Sequence, residues 1–210
     1  MPPDDLGSPH ERYDARVQRR SALLLKRRIV EQEREHFLAA LDWAHDEAAF
    51  ERIAAAIVAS RRRFILGAAK SFTYASLLAM DLSAGLANVS LIDGTIVRPL
   101  DVLSDVRSTD VLVAISLSRY RKYTVDIARR FAEAGGTVIV ITDSADAPLA
   151  DVAQELLIVD TESASFANSP TSVALVIHLL VTLTTASAKG AGRRLQERDR
   201  LSESLDLYYD

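Results

Sequence analysis

The sequence predicts an α/β protein built on a doubly wound, five-stranded, mostly parallel sheet with helices on both faces, a three-layer α/β/α arrangement. Short apolar runs alternate with helical patterns five times after residue 60. The runs at 111–115 and 137–142 are almost wholly apolar, as strands covered on both faces are. Serines follow two of the runs, at the strand ends where ligands bind in sheets of this class.

An N-terminal helical arm precedes the sheet. Residues 1–10 are polar and proline-containing, which predicts a disordered lead. A helical pattern without Gly or Pro then runs from about residue 11 to 48. Its apolar side chains recur at spacings of seven, four and three residues and form one stripe: Leu23, Val30, Phe37, Leu41 and Ala44. This stripe is suited to packing on the body of the protein or on a second subunit.

Basic residues are dense in the first part of the arm, where only four acids oppose them. The basic residues are Arg12, Arg16, Arg19, Arg20, Lys26, Arg27, Arg28 and Arg34. One interpretation is an arm that touches nucleic acid. The other is a solvated helix face with i, i+4 ion pairs, and this is the one that we favour. A helix-turn-helix needs two short helices joined by a Gly-containing turn, and the arm shows none. We therefore expect any DNA contact to be indirect or weak.

The elements after the arm are predicted in order along the chain. Helices are expected at 46–60, 72–84, 123–134, 148–153, 171–188 and 191–207, with a loop and short helix at 94–108. Strands are expected at 64–67, 89–92, 110–116, 137–142 and 155–160. These patterns divide the chain into an arm at 1–45, a sheet domain at 46–190 and a C-terminal helix at 191–210.

Composition excludes several classes of site. The chain has no Cys, and its four His residues do not cluster at ligand spacing, so we expect no metal and no disulfide. No cofactor motif is present, and the low glycine content does not match a dinucleotide fingerprint. A net charge of −4 carries no nucleic-acid signature. No apolar run reaches the roughly 18 residues of a membrane span, and no signal-peptide core is found, so we expect a cytoplasmic protein.

The ends of the first and third strands carry the functional signal. The third strand ends in Ser116 and Ser118 just before a helix, and the first strand ends in a small-residue turn with Ser71 at the start of its helix. The first N–H groups of a helix lack partners and its dipole favours anions. Right-handed crossovers put both strand ends at one edge of the sheet. Hydroxyls and N–H groups at one point suit a phosphate; the alternative is ordinary serine capping.

Several stretches follow one another in an order that matches a known family. Residues 67–71 (G-A-A-K-S) resemble a phosphate loop G-x-G-x-S, and residues 116–120 (S-L-S-R-Y) resemble an S-x-S loop. Residues 139–143, 147–150 and 166–169 resemble the strand, turn and third loop that come next. Together, over about residues 46–190, they resemble the SIS (sugar isomerase) family, and within it the effector domain of RpiR/MurR-type transcriptional regulators. Ala69 and Arg119 stand where most of the family has glycine.

The resemblance implies a flavodoxin-like sheet, a phosphorylated sugar as ligand, and a homodimer or homotetramer. By it, the phosphate is held by the three serines at the strand ends, Ser71, Ser116 and Ser118. Ser169, in the third loop, would lie near the sugar. Lys70 and Arg119 could add charge to the phosphate, because a charge-assisted hydrogen bond is about twice as strong as a neutral one. The alternative for these two cations is plain solvent exposure.

Three functions remain open at this point. The first is a phosphosugar sensor related to transcriptional regulators but without a recognisable helix-turn-helix. The second is an aldose–ketose phosphosugar isomerase, which needs a base that works near neutral pH. Glu162 in the third loop and His178 in the following helix are the candidates, although an exposed loop acid and a packed or capped helix histidine are the simpler interpretations. The third is a purely structural oligomerisation domain, against which the matched serine loops argue.

Overall fold

The computed structural model describes residues 8–18 and 20–209. The chain divides into two compact units. One unit comprises the chain up to Glu47 together with Ile158–Val176, and the other comprises Ala48–Leu157 together with the chain from Ile177 onward. The first therefore joins the N-terminal arm to the loop that we expected near the sugar, and the second holds the greater part of the sheet.

The arm is interrupted, so the prediction of one helix from residue 11 to 48 is wrong. It contains α1 (Pro9–Arg12), a π-helical turn (Tyr13–Val17) and the long helix α2 (Ala22–Asp46). The chain leaves the helical conformation at Gln18, whose ψ is 136°, and the Ser21 hydroxyl then accepts a hydrogen bond from the Leu24 N–H. Serine competes well for such caps, which is why it starts a new helix here.

The predicted disordered lead is also corrected in part. Residues 1–7 lie outside the described part of the chain. Ser8 and Glu11 form a reciprocal capping box at the start of α1: the Ser8 hydroxyl accepts from the Glu11 N–H, and the Glu11 carboxylate accepts from the Ser8 N–H. These two bonds satisfy donors that a helix start leaves open, so residues 8–10 are ordered by local chemistry.

The predicted doubly wound sheet is confirmed, and it is parallel throughout, with strand order β2-β1-β3-β4-β5. The strands are β1 (Arg62–Gly67), β2 (Val89–Leu91), β3 (Asp110–Ile115), β4 (Thr137–Thr142) and β5 (Glu155–Ile158). The helices after the arm are α3 (Ala49–Ala59), α4 (Lys70–Gly85), α5 (Pro99–Leu103), α6 (Lys122–Glu133), α7 (Thr171–Ser187) and α8 (Ala191–Ser204).

The strand order reverses beside β1. From β1 the chain passes through α4 to β2 on one side, and then returns to β3 on the other side. In the register of β1 and β3, Gly67 is paired with Ile115, so both strands end at the same level. Open α/β sheets bind their ligands at such a switch point, outside the carboxyl ends of the strands. The loops that carry Ser71 and Ser116 both start there.

The core explains why the central strands are apolar throughout. Alternate residues such as Phe64 and Leu112 pack with Phe131 of α6 on one face of the sheet. The residues between them, including Ile65 and Val113, are also fully buried, because side chains alternate between the faces. Burial of about 25 cal/mol per Å² of apolar surface on two faces is the main stabilising term of such a sheet.

The short helix predicted at 148–153 is wrong. The chain makes separate turns there, in which the N–H groups of Ala147, Ala150 and Val152 donate to carbonyls three residues back. The Gln154 N–H then donates to the Val138 carbonyl, and the Gln154 side chain accepts from the Val138 N–H. This anchor leads directly into β5.

Gly67 is the point where α4 approaches β1 most tightly. A Cβ atom at Gly67 would lie 2.4 Å from the Ser71 carbonyl oxygen, which is backbone and cannot rotate away. We expect Gly67→Ala to lower the free energy of unfolding by about 1–3 kcal/mol, as overpacking does. Chemical denaturation measures this loss.

Gly192 supplies the control, because a Cβ there meets nothing within 4 Å and the residue lies inside α8. Gly192→Ala should leave stability unchanged or raise it by up to about 1 kcal/mol, from helix propensity. Equal effects of the two substitutions would show that the tight approach at Gly67 is not a constraint.

Candidate functional site

Ser116 is the first residue beyond β3, and its hydroxyl is the most informative group at the switch point. The residue is 4 % exposed, and its Oγ atom has no hydrogen-bond partner. Its N–H donates to the Ile141 carbonyl at 3.0 Å, so the main chain still follows the sheet. A buried hydroxyl without a partner costs about 1–3 kcal/mol, which makes it a candidate for contact with a ligand.

The turn after Ser116 is held by a carboxylate. Asp143, directly after β4, accepts a hydrogen bond from the Ser118 N–H at 2.8 Å and another from the Tyr120 hydroxyl at 3.0 Å. The prediction that the N–H groups of this turn are unpaired is therefore wrong at Ser118. The Ser118 and Arg119 side chains are exposed beside this anchored turn. Asp143 fixes the shape of the turn and leaves these side chains available to a ligand.

Burial and the neighbouring negative charge of Asp143 raise the pKa of Tyr120 from 10.0 to about 12. Both causes disfavour the phenolate, so Tyr120 stays a hydrogen-bond donor to Asp143 at any physiological pH. Tyr120 and Asp143 thus act as one structural pair that closes the turn.

The first loop approaches the same edge from β1. Gly67 ends the strand, and Ala69 precedes the first turn of α4 as its N-terminal cap residue without a side-chain cap. Ser71 is half-buried in that first turn, and its N–H donates to the Ala68 carbonyl. Lys70 begins the helix with an exposed side chain. A hydroxyl and an ammonium group therefore stand at the positive end of a 16-residue helix dipole.

Both non-glycine residues that depart from the family pattern have left-handed backbones. Ala69 has φ 54° and ψ −125°, and Arg119 has φ 67°. These conformations favour glycine, and residues with a Cβ adopt them at a cost of about 1–3 kcal/mol each. The loops thus keep the backbone course that glycine would allow, in spite of the strain. Such strain is concentrated at functional sites in proteins.

Sequence reasoning missed Tyr74 as a candidate. It lies one turn after Ser71 in α4, is 7 % exposed, and its hydroxyl has no hydrogen-bond partner. Burial raises the pKa of Tyr74, so its hydroxyl is neutral. The available signal was its i+3 spacing from Ser71, which places both on one side of α4.

Ser169 lies in the unit formed by the arm and Ile158–Val176. It is 5 % exposed, and its hydroxyl donates to the Glu33 carboxylate of α2 at 2.7 Å. The Thr171 hydroxyl donates to the same carboxylate oxygen at 2.6 Å. Glu33 thus binds the start of α7 and occupies the Ser169 hydroxyl. This contact joins residues 136 positions apart, and no local pattern predicts it.

The two candidate bases have ordinary surroundings. Glu162 is exposed and forms an ion pair with Arg16 at 3.8 Å, within the same unit as Ser169. His178 belongs to α7 in the other unit, and its side chain is exposed. The predicted packed environment of His178 is therefore wrong.

Two cations of the arm, Arg12 and Arg16, bind main-chain oxygens of the third loop. Arg12 donates to the Phe166 carbonyl at 2.9 Å, and Arg16 donates to the Ser163 carbonyl. Arg19 lies outside the described residues. These bonds give two of the basic residues a role within the protein that differs from the solvated face with i, i+4 ion pairs that we expected.

A metal site would need clustered ligand side chains, and a membrane span would need a long apolar helix. Within residues 8–18 and 20–209, no group of three or more His, Cys, Asp or Glu side chains could hold a metal ion. In the same ranges no single helix is long and apolar enough to span a membrane, although α7 and α8, bent by 105°, satisfy the length and composition test as a pair.

We expect Asp143→Asn to lower the pKa of Tyr120 from about 12 while leaving it above 10.0, because the charge is lost and the burial remains. Phenolate absorbance against pH measures it, with Tyr120→Phe identifying the signal. Since the folded-state pKa exceeds the unfolded value, stability from this group is present below pH 10 and declines as pH rises towards 12. An unchanged pKa in Asp143→Asn would refute the pairing.

Known proteins share this fold. The model of the SIS domain family matches residues 56–187. No curated protein matches the chain. Among solved structures, the sugar isomerase domain of an RpiR transcription factor from Sphaerobacter thermophilus is similar, with 24% identity, a TM-score of 0.75, and coverage of 82% of this chain and 96% of that one.

Two further structures extend the likeness. The Vibrio vulnificus NanR protein, complexed with ManNAc-6P, has 17% identity and a TM-score of 0.72, covering 94% of this chain and 74% of its own. A protein from Methanococcus jannaschii, whose structure infers a 3-hexulose-6-phosphate isomerase, has 14% identity and a TM-score of 0.61, covering 86% and 97%. The likeness confirms the fold, and the family match covers most of the chain. The chain belongs to the SIS domain family.

Proposed function

We propose that this SIS domain protein binds a phosphorylated sugar and serves as a ligand sensor related to RpiR-type regulators of carbohydrate metabolism. The buried, unpartnered hydroxyl of Ser116 at the switch point is the observation that carries the proposal. A phosphate oxygen accepts hydrogen bonds strongly, so a phosphosugar would satisfy a group that the fold leaves unsatisfied there.

The charges and hydroxyls around Ser116 suit a phosphate. Ser71 and Ser118 add hydroxyls from the two loops, and Lys70 and Arg119 add exposed cations beside them. The α4 dipole is directed with its positive end towards the same edge. Asp143 contributes a negative charge, and its two carboxylate oxygens accept hydrogen bonds from Ser118 and Tyr120. A phosphate dianion bound at the serine loops would therefore lie near hydrogen-bond donors and cations.

The ligands of similar proteins support the same class of ligand. The NanR structure contains ManNAc-6P, and an Escherichia coli CFT073 protein with a TM-score of 0.58 is in complex with a phosphorylated sugar. Because these proteins share the fold at 17% identity, they indicate the ligand class for this chain and leave the individual sugar open.

A sensor is better supported than an isomerase. Isomerisation needs a base that can exchange a proton near neutral pH. Glu162 is exposed and paired with Arg16, and His178 is exposed on α7. Neither side chain is held in a buried site from which water is excluded. Ser116, in contrast, has the features of a binding group.

The remaining parts of the proposal concern the setting of the sensor. We place it in the cytoplasm as a homodimer or homotetramer, with any contact to DNA indirect or weak. Arg12 and Arg16 support the last point, since both bind main-chain carbonyls of the third loop. In this proposal Ser169 lies near the sugar, and Glu33 orients its hydroxyl.

Thermal unfolding against a panel of phosphosugars and their unphosphorylated counterparts tests the binding function. A ligand at about 100 times its Kd should stabilise the protein by about 2.7 kcal/mol, which raises Tm by several degrees. We expect the phosphorylated members alone to produce the shift. In the double variant Ser116→Ala, Ser118→Ala the shift should disappear while the unliganded protein keeps its stability, because the Ser116 hydroxyl has no hydrogen bond to lose.

The matched control is Ser202→Ala, Ser204→Ala, which removes two hydroxyls from α8, each bonded to a carbonyl of its own helix. It should shift with ligand as the parent protein does. A full ligand shift in the Ser116, Ser118 variant would reject the serine loops as the phosphate site.

A further inference from the structure

Helix α2 presents two different faces. One face binds the third loop within its own unit: Glu33 accepts from Ser169 and Thr171, and His36 Nδ1 lies 3.5 Å from the Asp160 carboxylate. Ala40, one turn further, is buried on the same face. This face is therefore already occupied.

Four residues of the predicted apolar stripe lie on the adjacent face and are exposed, whereas Ala44 is half-buried. Leu23 and Val30 are each 59% exposed, Leu41 is 40% exposed and Phe37 is 37% exposed. At 3.6 residues per turn, these four positions fall within about 40° of one another around the helix. We call Leu23, Val30, Phe37, Leu41 and Ala44 the outer stripe. Arg27 and Arg34 lie among these apolar side chains on the same side of the helix. Exposed apolar side chains rimmed by polar ones mark interaction sites more often than isolated ones do.

The charges of α2 are distributed unequally along its length. The segment 22–30 contains Lys26, Arg27 and Arg28 and no acid, whereas the segment 38–46 contains Asp42 and Asp46 and no Lys or Arg. Two copies side by side in parallel would bring like charges together. Two copies in antiparallel orientation bring the basic segment of each beside the acidic segment of the other, and they also oppose the helix dipoles.

The spacing of the outer stripe gives the register. Leu23, Val30, Phe37 and Ala44 recur every seven residues. In an antiparallel pair, each residue of this row can face a residue of the same row in the other copy. This happens when Val30 faces Phe37 and Leu23 faces Ala44. A two-fold axis then makes the interface complementary to itself, as closed dimers require.

We propose that the outer stripe of α2 packs against the outer stripe of a second copy of this chain, as an antiparallel helix pair with Val30 opposite Phe37. The occupant is a second copy because the heptad row of Leu23, Val30, Phe37 and Ala44 and the two charge segments are self-complementary in this register. Side chains of one helix then pack between those of the other over about 32 Å, the axial distance from Leu23 to Ala44. The proposal is independent of the sugar ligand.

The absence of cysteine allows a direct test with the full-length chain. Val30→Cys and Phe37→Cys are made singly, one of them carrying a small tag, then mixed and oxidised. In the proposed pair the two sulfurs face each other, so the mixed disulfide should exceed either self-disulfide at least severalfold. Self-pairing at Val30 would have to span about 10 Å along the axis, beyond the roughly 7 Å Cα–Cα limit of a disulfide.

Arg28→Cys and Ala39→Cys form the matched control. Both are exposed positions of α2 that would share one axial level in the antiparallel pair, but they point away from the outer stripe. They should give only background crosslinking. Dominant self-disulfides at both Val30 and Phe37 would overturn the antiparallel arrangement, and a mixed Val30–Phe37 yield equal to the control would overturn the interface itself.

Discussion

The close approach of α4 to the end of β1 is the constraint on which the candidate site depends. A Cβ atom at position 67 would clash with the Ser71 carbonyl oxygen, so glycine allows the closest approach there. The helix can therefore begin three residues after the strand and direct its positive end to the edge of the sheet. The neighbouring strand β3 ends at the same level, so its serine turn meets the same edge.

Strain and anchoring maintain these two loops. Ala69 and Arg119 both adopt left-handed conformations at the positions where the family pattern has glycine. Other interactions must offset this conformational cost. At the second loop they include the two hydrogen bonds that Asp143 accepts from Ser118 and Tyr120. A loop that is held in an unfavourable conformation by its surroundings is pre-organised, which lowers the entropy lost when a ligand binds.

The sequence predicted the sheet well because its strands are buried on both faces and must be apolar. Position-specific glycine and serine patterns also located the two loops. Two features could not be predicted locally: the turns at 147–152 depend on the Gln154 anchor to Val138, and Glu33 reaches Ser169 across 136 positions. The break before Ser21, in contrast, has a local signal, the serine cap, in a stretch without Gly or Pro. Long-range polar contacts leave no periodicity in a sequence, so the roles of Asp143 and Glu33 came only from the structure.

A crystal structure with a phosphosugar selected by thermal unfolding would test the phosphate site most directly. We predict that the phosphate lies within hydrogen-bond distance, about 2.5–3.0 Å, of the Ser116 hydroxyl, with Ser71 and Ser118 among its other donors. A phosphosugar bound elsewhere, with the Ser116 hydroxyl still unpartnered, would contradict the proposed role of the serine loops.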